Sequence, residues 1–171
     1  MIGDCSVSMI SPDMYVEFIR PLDIDFALFC KRLAGGNSDI LLHHCDTEAD
    51  RYLDAYAAIP HVRKLQASHR TDIGEAAQKL PDASFCAMVS PWEINKLRHG
   101  DFERLFGRAI RLGSGELDLW NIDMLTPPDR LREIFGIIME KSKVYGAVTD
   151  FDVLPFVWDE LEWAYPAYQD N

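Results

Sequence analysis

The densest run of side chains able to hold a metal or carry a proton is His43-His44-Cys45-Asp46. Imidazole and thiolate are the usual ligands of zinc, but a site needs three or four donors that converge. The run reads as the end of a strand over 39–44. Alternation along a strand sends His43 and Cys45 to one side and His44 and Asp46 to the other. No second ligand pair stands at zinc-like spacing elsewhere, so no metal and no other cofactor is expected. The plainer reading is a strand running into a helix cap.

Nucleophilic catalysis would need a thiol or hydroxyl with a histidine base held by a third group. Cys86 lies inside Ser84–Val89, which reads as a buried strand, where a thiol is normally inert. No Gly-x-Ser-x-Gly elbow is present. His61, His69 and His99 fall at element ends among polar residues, which suits surface or capping roles. Glu116 and Asp118 are two apart on a strand expected over 117–122, with Asp123 just beyond. Paired carboxylates of this kind can bind magnesium or divide acid and base roles. Their segment, GSGELDLW, resembles the Gly-Glu-x-Asp stretch of restriction-like nucleases. That resemblance implies a Glu-x-Lys on the next strand, whereas Glu140, Lys141 and Lys143 here sit in a proline-capped helix. A strand face with acids alternating against Leu117, Leu119 and Ile122 is the simpler account.

Arg104, Arg108 and Arg111 form an i, i+4, i+7 row opposite the apolar stripe of their helix. Such a row could meet phosphate, but it more often meets solvent or acids of the same chain. The last stretch supplies those acids. Asp150, Asp152, Asp159, Glu160, Glu162 and Asp170 follow Lys143 with no base among them, interleaved with Phe151, Phe156, Trp158, Trp163, Tyr165 and Tyr168. A helix over about 152–165 would turn Leu154, Val157, Leu161 and Tyr165 inward and Asp159, Glu162 and Trp163 outward. Exposed rings among like charges are the makings of an interface with a basic partner.

Those residues belong to a 171-residue chain of net charge -11 and pI near 4.8. A field that negative disfavours nucleic acid and anionic membranes as partners. The imbalance is uneven: residues 1–44 carry net -3, residues 45–112 net zero and residues 113–171 net -8. Apolar residues at 48% and charged residues at 26% describe a globular chain. Four cysteines without a CxxC pair, no leader-like start and no long apolar run describe a soluble, cytoplasmic one.

The elements that must position these groups read as an α+β fold in one domain over 1–171. It has a modest mixed sheet of four or five strands covered by six or seven helices, with α/β as the alternative. Strands are expected at 15–19, 39–44, 84–89, 117–122 and 144–149. Asp23 should cap a helix that buries Phe26, Phe29, Cys30 and Leu33 and stops at Gly35-Gly36. Ala49, Tyr52, Leu53 and Tyr56 mark the buried face of the next, opened by Asp46 or Thr47. Asp72 with Glu75 and Ser90-Pro91-Trp92-Glu93 are capping signals, the latter for a helix broken at Gly100. Asp101 restarts a helix burying Phe102, Leu105 and Phe106. Thr126-Pro127 opens the longest, with Leu131, Ile134, Phe135 and Ile138 as its stripe.

In composition the chain resembles the immunity-type inhibitors that bacteria use against toxins. That implies a binding protein rather than an enzyme: an inhibitor that occludes the active site of a basic toxin or enzyme. Its contact residues would be Asp150, Asp152, Trp158, Asp159, Glu160, Glu162 and Trp163, with Glu116, Asp118 and Asp123. The other readings are a metal-dependent hydrolase or transferase built on Glu116, Asp118 and Asp123, and an acidic adaptor that mimics nucleic-acid charge.

Overall fold

A computed structural model describes residues 1–45, 48–111, 114–119, 122 and 126–144. The expected α+β composition is there, as one five-stranded sheet with helices packed on it. The strands are β1 (Ile2–Asp4), β2 (Ile40–His44), β3 (Val62–Ser68), β4 (Ser84–Val89) and β5 (Ser114–Leu119). They lie side by side in chain order, and every pairing is parallel, an arrangement that also suits α/β. The helices are α1 (Pro12–Met14), α2 (Arg20–Leu33), α3 (Leu53–Ala57), α4 (Ile73–Lys79), α5 (Pro91–Lys96), α6 (His99–Arg111) and α7 (Pro128–Val144).

Register decides what the sheet shows on each side. Leu42 pairs with Leu65 and Leu65 with Phe85; one residue on, His43 pairs with Gln66 and Gln66 with Cys86. Because side chains alternate, the first set falls on one face and the second on the other. The first face is apolar: Ile2, Leu42, Leu65, Ala67, Phe85 and Ala87 form one core with Tyr15, Ala27, Tyr52, Tyr56 and Ile73 of the helical segments. Val89 continues it into a second cluster with Ile94, Phe102, Leu131, Ile134 and Ile137. The helices that contribute to these clusters therefore cover the same face, as right-handed crossovers between successive neighbours require. His43, Gln66 and Asp118 belong to the other face.

Local capping follows the sequence closely. Asp72 accepts from Glu75 N, and Ser90 and Glu93 complete both halves of a capping box. Ala49, Tyr52, Leu53 and Tyr56 are all fully buried, as their spacing predicts. Gly35 and Gly36, at φ 61° and 95°, end α2 in the left-handed region that residues with a Cβ avoid. Leu131 and Ile134 of α7 are buried, but Phe135 is 43% exposed and Ile137 takes its place.

Other expectations need correction as well. Residues 15–19 are a turn of π-helix, not a strand. Ser11 caps a helix with Pro12 at its start, and the π turn joins α1 to α2, so a β-rich stretch is carried along as helix. Secondly, α2 buries Ala27, while Phe26, Phe29 and Leu33 are exposed. Thirdly, Gly100 lies inside α6, and α5 ends earlier, at Lys96. Lastly, Val144 closes α7 rather than opening a strand; residues 145–149 lie outside the described residues. β1 and β3 have no counterpart among the predicted strands. β1 is three residues long, and Arg63, Lys64 and Gln66 interrupt the pattern of β3.

Candidate metal centre

β1 and β2 are parallel neighbours, with Gly3 beside His43 and Asp4 beside His44. Continuing each strand by one residue brings Cys5 next to Cys45. The ligand atoms of Cys5, His43 and Cys45 all lie within 4.8 Å of one another. His43 is buried, Cys45 half-buried and Cys5 exposed, so the group is anchored in the sheet and open to solvent on its thiol side.

A chain of hydrogen bonds holds the imidazole. Gln66 Nε2 donates to Asp118 Oδ2 at 2.6 Å, and Gln66 Oε1 lies 2.8 Å from His43 Nδ1. A carboxylate only accepts, so the amide nitrogen must face Asp118 and the amide oxygen must face His43. An amide oxygen also only accepts, so His43 carries its proton on Nδ1. That tautomer places the ring's lone pair on Nε2, the neutral form in which a histidine can ligate a metal. The relay runs from β5 over β4 to β3 and on to β2.

Two further polar clusters lie near the carboxyl ends of the strands, on the helix side. Tyr15, fully buried, donates to Asp23 Oδ2 at 2.5 Å and stands 3.3 Å from Asp4 Oδ2. Burial, with the charge of Asp23 added, pushes Asp4 up to about 6 against the hydrogen bonds of Tyr15 and Tyr56. Burial also raises Asp23. A phenol has one proton, here given to Asp23, so the longer contact is satisfied when Asp4 is protonated and donates to the phenol oxygen. Tyr56 completes this cluster at 2.7 Å from His44 Nδ1.

The second cluster joins β3 to α5. Glu93, 6% exposed, accepts from His69 Nε2 at 2.6 Å and Arg70 at 3.0 Å through one oxygen, and from Ser90 through the other. Burial alone would raise its pKa; the bonds and charge of His69, with the bonds of Ser90, outweigh that and hold it below the usual glutamate range.

Of the carboxylates that the sequence singles out, Asp118 enters the relay to His43. Glu116 pairs by its backbone with Cys86 in β4. Asp123, and with it Asp150, Asp152, Trp158, Asp159, Glu160, Glu162 and Trp163, lie outside the described residues. Cys86 is buried in β4 as expected, and His99 bonds Glu133 at 2.9 Å. Arg104 pairs with Asp101 within its own helix. Cys5 and Gln66 escape a reading by motif because they meet His43 only through strand pairing, 38 and 23 residues away in the chain. The one signal available was the parity of His43 and Cys45. Comparison with protein-family models, with curated proteins and with solved structures finds no match.

Proposed function

We propose that this chain is a metal-dependent enzyme of the hydrolase or transferase class, holding a thiophilic divalent cation, zinc above all, with Cys5, His43 and Cys45. The observation that carries the reading is the convergence of two thiols with an imidazole whose tautomer is already set by Gln66 and Asp118. Around a tetrahedral zinc, sulfur and nitrogen donors stand roughly 3.5–4 Å apart, so the described spread closes with small side-chain shifts. Three protein ligands, one of them histidine held by an outer-shell acceptor, are the set that catalytic rather than structural zinc sites use. Such an ion supplies Lewis acidity and an acidified water at its remaining position. His43 and the two thiolates fix it at the solvent-facing edge of β1 and β2, and Asp118 acts through Gln66 as a positioning residue.

Cobalt titration of metal-free protein tests this directly. One equivalent should develop thiolate-to-cobalt charge-transfer absorption and tetrahedral ligand-field bands, lost in Cys5→Ser and in Cys45→Ser. Gln66→Leu should retain the bands but weaken affinity about 10- to 100-fold. Azide or thiocyanate should shift the bands if an exchangeable position exists. A wild-type protein giving no thiolate band would sink the proposal; bands indifferent to added anions would reduce it to a structural site.

A second reading rests on the sequence beyond Lys143, with six acids and no base. We infer from it an inhibitor that occludes a basic toxin or enzyme, with Asp159, Glu162 and Trp163 at the contact and no nucleic acid bound. Charge there would steer association. Asp159→Lys with Glu162→Lys should slow binding to a partner captured from the native host, most of all at low salt. Association rates unchanged by the reversal would remove the mechanism.

A further inference from the structure

The helical segment running from Pro12 to Leu33 shows a row of large apolar side chains on its outward side. Met14, Phe18, Leu22, Phe26, Phe29 and Leu33 are all exposed, Leu22 at 64% and Leu33 at 72%. The inward side is carried by Tyr15 and Ala27, both fully buried, with Val16, Ile19 and Ile24 packed beside them. Spacings of four residues drift around an ideal α-helix, because four residues exceed one turn. The π turn at Tyr15–Ile19 takes more residues per turn and cancels that drift, bringing Met14 and Phe18 into line with the rest. A continuous apolar seam results, six side chains long. At the exposures they show, these chains present on the order of 600 Å² of apolar surface, against the roughly 800 Å² per partner of a standard interface.

We propose that this seam is a self-association surface, on which the same helix of a second copy packs antiparallel about a two-fold axis near Ile24. The spacing is palindromic to within one residue. About that axis Met14 falls opposite Leu33, Phe18 opposite Phe29 and Leu22 opposite Phe26, so every apolar position meets another, as an isologous interface demands. The flanking charges follow the same symmetry. Exposed Glu17 on the amino-terminal half falls opposite exposed Arg32 on the carboxyl-terminal half of the partner helix. Asp25 alone lies beside the axis and meets its own copy, a like-charge contact that salt relieves. Exposed polar neighbours along the seam complete the area.

Sedimentation equilibrium and light scattering on the full chain test this. A dimer is expected at micromolar concentrations, and Leu22→Glu with Phe26→Glu should leave a monomer with unchanged circular dichroism, since both residues are exposed. Trp92→Ser, an exposed aromatic far along the chain on α5, should leave the dimer intact. The sharper arm is a charge swap. Glu17→Arg or Arg32→Glu alone should weaken dimerisation several-fold, and the double variant should restore it. These positions are 15 residues apart, roughly 22 Å along one helix, so rescue can come only through the partner chain. A wild-type chain that stays monomeric at tens of micromolar overturns the proposal. So does a dimer insensitive to Leu22→Glu/Phe26→Glu, or a charge swap without rescue.

Discussion

At the scale of single residues, several buried polar groups among the described residues hold other groups still. Glu93 is the clearest case, because its two oxygens take partners from separate segments: one from His69 and Arg70 just after β3, the other from Ser90 at the start of α5. A carboxylate whose pKa is lowered in the folded state stabilises that state above the ordinary glutamate value. The contribution disappears as pH falls through the lowered value. Glu93→Gln should therefore destabilise the protein by about 1–3 kcal/mol at neutral pH, since a neutral amide replaces a charged acceptor. Chemical denaturation from pH 7 down to pH 3 should show the two stability curves converging below the ordinary carboxylate range near pH 4.3. A gap constant across that range would mean that Glu93 acts by packing alone. Gln66 works in the same manner on His43, and there its position between an obligate acceptor and a ring fixes which nitrogen carries the proton.

At the scale of elements, legibility tracked how local the determining physics is. Capping is local, and Ser90-Pro91-Trp92-Glu93 and Asp72 with Glu75 predict the starts of α5 and α4 correctly. Helix-terminating glycines are local too, and Gly35-Gly36 ends α2 where expected. Burial is not local. The apolar positions Phe26, Phe29 and Leu33 have helical spacing, and spacing alone assigns them to a core; the fold instead turns Ala27 and Tyr15 inward. Two apolar faces on one helix look alike in sequence, and only the sheet beneath decides between them. Strand pairing is the least local of all. The sequence parity of His43 and Cys45 was readable, but nothing near them announces Cys5, because β1 is only three residues and its pairing with β2 bridges nearly forty. The carboxylate pair Glu116 and Asp118 was legible as a feature. The role that Asp118 takes, orienting an amide two strands away, was not.

At the scale of the whole molecule, the proposed ion would do mechanical work on the sheet as well as chemical work. β1 is an edge strand held by three residues of pairing, a length that alone gives little protection against local opening. Cys5 lies immediately beyond it, and its partners His43 and Cys45 sit at the end of β2, so one ion would fasten the edge strand to its neighbour. Binding to the folded state alone raises stability by RT ln(1 + [L]/Kd), about 2.7 kcal/mol at one hundred times Kd. For a chain of this size that corresponds to a Tm rise of roughly 5–10 °C. Hydrogen exchange localises the effect. With zinc present, the amides of Ile2–Asp4 and Ile40–His44 should gain protection, whereas α6 and α7, packed in the second core, should change little beyond the global shift. The same zinc added to Cys5→Ser should leave β1 as it was. Protection spread evenly over the molecule would point to an ion bound elsewhere, and a Tm unmoved by zinc would leave the two-strand clasp without an occupant.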